Sequence, residues 1–409
     1  MRFKLFCKTP FLAFLIAVAL FLGTIYSLPS ISEFCFNTFV AKPGTVAAMG
    51  INPHPYTFQG LLLQKKALED PRILPLYGSS EMSMIYDYHP SKVLTPETGV
   101  TPLLVGKGGT QTIIQMLNIA ALGNDISGKK FAIFVTPQWY GVSGINEDTF
   151  AGNFSALHVY TILKDRTLSP SLKNNIAGRL LQFTKAYQDY PYLKKMLVLQ
   201  GQSDWNSRIT RLFYAVPAQM EYAAVVLQDL RHTIYRISLL PADTIASYAN
   251  VPSTSATEPQ WDQMRLKAIE LAKLKSNNNP FEMDNDYFTT NILPNLQKRK
   301  EADKDTQYTS SQEYGDLQLL MEVLKEEGAQ PLFVILPMNG RWVDFTGIRA
   351  EKRQACYQKL AQMIQAEGFA LADFSSHEYD DYYLRDPWHP SWEGWVDIDK
   401  ALYQYYFSS

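Results

Sequence analysis

The residues near the N-terminus constrain the fold more than any other part of the chain. Between Lys8 and Glu33 there is no charged residue, and residues 11–28 are almost wholly apolar. As a helix this stretch would be about 27 Å long, close to the ~30 Å hydrocarbon thickness of a bilayer. We therefore predict a transmembrane anchor over residues 11–28, and the rest of the chain must fold on one side of the membrane.

Basic residues predict the orientation of this anchor. Arg2, Lys4 and Lys8 precede the apolar run, and no basic residue follows it until Lys42. Basic residues stay mainly on the cytoplasmic side, so we predict a cytoplasmic N-terminus over residues 1–10 and an extracellular body, in a single-pass protein of the cell membrane. A cleaved signal peptide is the alternative. The length of the run and the lack of a clear small-residue cleavage motif favour the uncleaved anchor.

The remaining chain predicts a proline-rich connection followed by one large domain. Residues 29–70 show little periodicity, which indicates a juxtamembrane stalk or a segment that wraps the body. Residues 71–409 then alternate short apolar runs with stretches of helical spacing, which predicts an α/β domain of three layers, α/β/α, around a parallel sheet. The predicted strands are 73–77, 100–105, 131–135, 331–336 and 369–374. The predicted helices are 110–122, 316–326, 351–367 and 391–405.

Residues 150–310 interrupt this pattern with few strand signals, and we predict a helical insertion there. One apolar stripe has clear helical spacing, and we expect it to pack in the core, the alternative being a docking face for a partner. Its members are Ile209, Leu212, Phe213, Val216, Met220, Ala223, Leu227 and Leu230.

Charge and cysteine content exclude two classes of protein. The formal net charge is −2, so nothing indicates a nucleic-acid surface. Cys7, Cys35 and Cys356 are too few and too scattered for a disulfide scaffold. Pairing of Cys35 with Cys356 remains open.

A parallel sheet places ligands at the carboxyl ends of its strands, and the first predicted strand ends at residues 78–81, Gly-Ser-Ser-Glu. A serine hydroxyl in such a turn can act as a nucleophile beside a base, and the N–H groups of the turn can stabilise an oxyanion. The alternative is that Ser79 or Ser80 only caps the next helix.

A second candidate lies in the loop before the last predicted helix. There, Asp386 precedes His389 by three residues, so one loop can supply an imidazole base and the carboxylate that orients it. The six histidines of the chain are not clustered with cysteines or carboxylates at ligand spacing, so we predict no metal site and no cofactor. A metal bound by Asp386, His389 and a remote ligand is the alternative.

The order Ser80, Asp386, His389 also occurs in α/β-hydrolases, but their nucleophile elbow needs a glycine where this chain has Met82. A serine after the first strand and an Asp-x-x-His pair before the last helix instead resemble the SGNH (GDSL-like) hydrolases. In those proteins an aspartate precedes the serine, and here Ser79 stands in its place.

Further motifs resemble the DltD family of D-alanyl-lipoteichoic acid biosynthesis proteins, and they follow one another in order over nearly the whole chain. They are residues 77–81, 106–110, 136–139, 179–183, 261–264, 339–342 and 394–396.

This resemblance implies that Ser80 is the nucleophile, His389 the general base and Asp386 its orienter. It also implies oxyanion donors at the amides of Ser80 and of Gly108 or Gly109. The asparagine block of the SGNH pattern is missing, and we suggest Gln138 as its substitute.

The function implied by the resemblance is transfer of a D-alanyl group to teichoic acid through an acyl-serine. The implied partners are the teichoic acid polymer, a D-alanyl donor and a membrane-embedded acyltransferase of the DltB type. The alternatives are an esterase or thioesterase that hydrolyses acyl esters, and a non-catalytic scaffold that docks on the membrane acyltransferase.

Overall fold

A five-stranded parallel sheet forms the centre of the computed structural model, which describes residues 8–141, 144–249, 254 and 257–408. Its strand order is β2-β1-β3-β4-β5, and every neighbouring pair is parallel. The strands are β1 (Ile73–Tyr77), β2 (Thr101–Val105), β3 (Ala132–Val135), β4 (Leu332–Ile335) and β5 (Ala370–Asp373). All five were predicted, and the observed bounds differ from the predicted ones by at most one residue at either end.

Sixteen labelled helices lie within the described ranges. They are α1 (Lys8–Cys35), α2 (Pro43–Gly50), α3 (Leu61–Glu69), α4 (Pro90–Thr98), α5 (Thr112–Ala120), α6 (Glu147–Asn153), α7 (Ala156–Lys164), α8 (Pro170–Leu180), α9 (Pro191–Leu199), α10 (Trp205–Ser238), α11 (Ala242–Ala249), α12 (Trp261–Lys275), α13 (Glu313–Glu326), α14 (Gly340–Phe345), α15 (Ala350–Ala366) and α16 (Trp392–Phe407). Short helical turns at Asn285–Tyr287 and Leu296–Arg299 complete the insertion.

The side chains of the strands alternate between two faces, and each face has its own apolar core. Leu76 and Phe134 point into a core that α4 and α16 complete. Tyr77 and Ile133 point into the opposite and larger core, which α5, α13 and α15 cover. Helices therefore lie on both faces of the sheet, and the predicted α/β/α arrangement is confirmed.

Helix α1 is long and apolar enough to cross a membrane, and almost all of its apolar stretch is exposed. Arg2, Lys4 and Cys7 lie outside the described residues. The segment that follows α1 lies against the body, since α2 and α3 bury residues such as Met49 and Leu63 in the larger core. This segment therefore wraps the body instead of standing away from it.

The predicted helical insertion is present as α7 to α12, but our expectation that the apolar stripe of α10 packs in the core is wrong. Ala223 is buried, whereas Leu212, Phe213, Met220 and Leu227 are exposed. Helix α10 packs through other positions, among them Ala218, Val225 and Val226, and its neighbours include α1, α7 and α9.

Cys35 and Cys356 are both free thiols. Cys356 is buried on α15, where the hydroxyl of Tyr314 donates a hydrogen bond to its Sγ at 3.4 Å. The structure therefore provides no disulfide between these two positions.

Candidate active site

Ser80 begins a one-turn 3-10 helix, Ser80–Met82, directly after β1. The turn is tight. The N–H of Gly78 donates to the carbonyl of Val105 on β2 at 3.0 Å, and a Cβ on Gly78 would lie 2.6 Å from Oε1 of Glu81. A residue larger than glycine would displace that carboxylate. Neither serine caps the turn through its side chain, so the hydroxyl of Ser80 is available for another partner.

That partner is His389. Oγ of Ser80 and Nε2 of His389 are 2.7 Å apart, although the residues are 309 positions apart in the chain. Nδ1 of the same ring lies 2.7 Å from Oδ2 of Asp386. A carboxylate only accepts hydrogen bonds, so the proton of the neutral ring is assigned to Nδ1, and Nε2 is left to accept from the serine.

The loop of Asp386 and His389 is held in place by its own backbone. Oδ1 of Asp386 accepts the N–H groups of Trp388 at 2.9 Å and of His389 at 3.0 Å. The N–H of Asn339, just after β4, donates to the carbonyl of Pro387 at 3.0 Å. These bonds join the loop to the carboxyl end of the sheet and fix the direction of the imidazole.

Burial and charge act in opposite directions on the histidine and the aspartate. Burial disfavours the charged imidazole, but the Asp386 carboxylate and the more distant Glu81 outweigh it and raise the pKa of His389 above its ordinary 6.5. Burial also disfavours the Asp386 carboxylate, yet His389 and the two backbone donors lower its pKa below 3.8. Asp386 therefore stays ionised at neutral pH and stabilises an imidazolium if one forms.

The turn after β2 lies directly against the serine turn. A Cβ on Gly106 would be 2.6 Å from the carbonyl oxygen of Gly78, so only glycine permits this approach. Nζ of Lys107 donates to the carbonyls of Tyr56 at 2.9 Å and of Gly152 at 2.7 Å, which fastens the turn from its other side.

The three residues suggested as oxyanion donors all follow strands at this edge of the sheet. Gly108 is exposed and Gly109 has a φ of 79°, while Gln138 is half-buried in the 3-10 turn after β3. Their part in stabilising an oxyanion remains a prediction.

Comparison with known proteins extends this picture beyond the local geometry. The family model described as "DltD protein" matches residues 51–407. The chain belongs to the DltD family.

Relatives within the DltD family align over most of this chain. Protein DltD of Bacillus subtilis (strain 168) is 35% identical over 395 residues, which cover 96% of this chain and 96% of the relative. Protein DltD of Staphylococcus aureus (strain NCTC 8325 / PS 47) is 27% identical over 395 residues, covering 96% and 95%. Protein DltD of Lacticaseibacillus rhamnosus is 27% identical over 349 residues, covering 84% and 79%.

In this DltD-family chain, sequence reasoning missed two residues that shape the site. Glu81 is buried, and its Oε1 accepts the N–H of Ser79 at 2.7 Å. Burial raises the pKa of Glu81, while the bond from Ser79 and the charge of His389 lower it in part. Asn339 holds the histidine loop, as described above. Both residues stand inside motifs quoted for the resemblance, but only the fold shows what they contact.

Proposed function

We propose that this chain transfers D-alanyl groups to teichoic acid at the cell envelope, with Ser80 as the acyl-carrying nucleophile. The observation that carries the proposal is the hydrogen-bonded series Ser80, His389, Asp386, in a chain of the DltD family. D-alanylation is the process that the resemblance implies. The serine mechanism is our inference from the distances.

The first step forms the acyl-enzyme. Oγ of Ser80 attacks the carbonyl carbon of an activated D-alanyl ester or thioester while Nε2 of His389 takes the serine proton. The bond to the leaving group then breaks, and His389 returns the proton to the departing oxygen or sulfur. Asp386 remains ionised throughout and stabilises the imidazolium.

The second step passes the group to the acceptor. A glycerol hydroxyl of teichoic acid gives its proton to His389 and attacks the acyl-serine. The Ser80 oxygen leaves and regains its proton from His389, so the enzyme is regenerated. In each step the amides of Ser80 and of Gly108 or Gly109 are the proposed oxyanion donors, with Gln138 as a third.

The proposal places the body outside the cell, held by α1 as a single-pass anchor. The acceptor polymer lies outside the membrane, and the apolar length of α1 fits this placement. A membrane-embedded acyltransferase of the DltB type is the proposed source of the acyl group.

The decisive experiment measures teichoic acid D-alanine in cells whose only copy of the gene carries Ser80→Ala. The expected result is loss of D-alanine to the level of a gene deletion, with the protein present in the membrane. Ser83→Ala is the matched control, because it removes a hydroxyl group next to the same turn. That hydroxyl donates a hydrogen bond to the Ser80 carbonyl and not to His389. Normal D-alanine in Ser80→Ala cells would refute the serine mechanism and favour the scaffold.

A second measurement separates transfer from hydrolysis. Purified full-length protein in detergent is given an activated D-alanyl ester with and without a poly(glycerol phosphate) acceptor. Transfer predicts D-alanine on the acceptor, whereas an esterase releases free D-alanine at the same rate in both reactions.

A further inference from the structure

One face of α10 is apolar and exposed near the start of the helix. Trp205, Leu212 and Phe213 are each more than 70% exposed, and Ile209 is partly exposed. At about 100° per residue, these four positions fall within an arc of about 100°, the usual width of a helix face that packs on something apolar. A contiguous face of this kind normally marks an interaction site.

The helix that carries this face contacts the proposed anchor. Nε2 of Gln219 donates to the carbonyl oxygen of Ile25 in α1 at 3.0 Å, and Ile25 is buried by this contact. On its other sides α1 continues to expose apolar residues as far as Phe34. Helix α10 therefore meets α1 within the apolar length of α1, where lipid would surround it.

The direction of α10 places its first half on the membrane side of this contact. Beyond Gln219, Asp229 accepts the N–H of Leu61 at 3.2 Å, and Arg236 donates to the carbonyl of Asn52 at 2.6 Å. Both partners belong to the segment that follows α1 and lies on the body. The residues before Gln219 consequently extend toward the bilayer.

Basic residues lie on the same pair of helices as the apolar face. Arg208 and Lys194 are exposed, and Lys195 and Arg211 are partly exposed. They belong to the hairpin of α9 and α10, which is closed by a hydrogen bond from Arg211 to the carbonyl of Leu199 at 2.6 Å. Aromatic and aliphatic residues flanked by Lys and Arg are the composition of a helix that lies in the interface of an anionic membrane.

We propose that the hairpin of α9 and α10 lies against the anionic bilayer that α1 crosses, with Trp205, Leu212 and Phe213 at the boundary between headgroups and acyl chains. The body is then attached at two points, one spanning and one superficial, which limits its rotation about the anchor. This inference depends on the apolar anchor and not on the chemistry of Ser80, so either can fail alone.

The test uses the depth of Trp205 in the full-length chain. The protein is reconstituted in phosphatidylglycerol vesicles whose acyl chains are either brominated or unmodified. The chain has 7 tryptophans, so the emission of Trp205 is obtained as the difference between the wild type and Trp205→Phe. We expect bromine to remove most of this difference emission, and phosphatidylcholine vesicles to give a smaller loss.

Leu274→Trp in the Trp205→Phe background is the matched control. Leu274 is as exposed as Leu212, but it lies on α12, which packs on α16 across the sheet from α10. The emission of the tryptophan introduced on α12 should be the same in brominated and unmodified vesicles. The double variant Leu212→Ser with Phe213→Ser changes only exposed side chains, so it should fold normally and reduce the quenching of Trp205.

Trp205 emission that is unaffected by brominated lipid would overturn the proposal. If Trp205 were then shielded only after a second membrane protein was added, the face would belong to a protein partner instead. Equal quenching of the Leu274→Trp probe would also overturn it, because contact with lipid would not be specific to α10.

Discussion

Replacing Asp386 by asparagine tests the geometry of the site most directly, because the two side chains have the same shape. Oδ1 of Asp386 accepts the N–H groups of Trp388 and His389, so an asparagine must keep its oxygen there. Its amide group then points at Nδ1 of His389, which is forced to accept. The ring proton moves to Nε2, the nitrogen that faces Ser80. The base is lost although every heavy atom stays in place.

We expect this change to lower kcat about 10⁴-fold, which corresponds to about 5.5 kcal/mol of transition-state stabilisation. The assay is turnover of an activated D-alanyl ester by full-length protein in detergent. A phosphonate probe followed by intact-protein mass spectrometry reports the labelling rate of Ser80 independently of the acceptor. The thermal midpoint is measured alongside, to show that the variant is folded.

Asp380→Asn is the matched control for this prediction. Oδ2 of Asp380 lies 2.7 Å from Nδ1 of His377, three residues away, but this pair is more exposed. Within the described part of the chain, the His377 ring makes no hydrogen bond to a serine. Loss of the Asp380 carboxylate should leave kcat unchanged. A loss smaller than about tenfold for Asp386→Asn, below the range usual for a general base, would refute the assigned tautomer and the role of His389.

The remaining predictions concern pH, packing and buried charge. Because the pKa of His389 is raised above 6.5 and a base acts when neutral, kcat/KM should rise with pH through a midpoint above 6.5 in a pH–rate profile. Gly106→Ala should slow phosphonate labelling and destabilise the fold by about 1–3 kcal/mol in urea titration, since its Cβ would strike the Gly78 carbonyl. Arg179→Met should lower the free energy of unfolding by about 3–5 kcal/mol in the same titration. The guanidinium of Arg179 lies 2.7 Å from the buried carboxylate of Asp316, which the substitution leaves without its cation. Among the described residues, neither buried carboxylate oxygen of Asp399 has a hydrogen-bond partner, and burial raises the pKa of Asp399 well above 3.8. The wild type therefore loses stability as pH rises above about 4. Asp399→Asn should therefore be more stable than the wild type by at least about 1 kcal/mol at pH 8, with little difference at pH 4.

The sheet could be predicted from sequence because its strands are short and mostly apolar, and because the first two end at glycine turns. Buried parallel strands have this composition, so β1 to β4 were recognisable without knowing their partners. Ser80 and the loop of His389 could be found for a related reason. Ser80 follows the predicted first strand, and the loop of His389 precedes the predicted last helix. Parallel strands bring such ends to one edge of the sheet.

The features that could not be predicted from sequence depend on contacts between distant parts of the chain. The period of an apolar stripe shows that one face of a helix avoids water, but it does not show what covers that face, and the stripe of α10 was assigned to the core for this reason. Glu81 could not be recognised either. Its burial is produced by the close approach of the turns after β1 and β2, which no local pattern records.

The ammonium group of Lys107 joins three segments that are far apart in sequence: the turn beside Ser80, Tyr56 in the segment after α1, and Gly152 in α6. Shortening the chain from its N-terminus beyond Tyr56 would delete one of these two carbonyl acceptors. The turn beside Ser80 would then sample other conformations, and rates measured on such a fragment would not describe the full-length protein. Fragments intended for kinetic work should therefore begin before Tyr56.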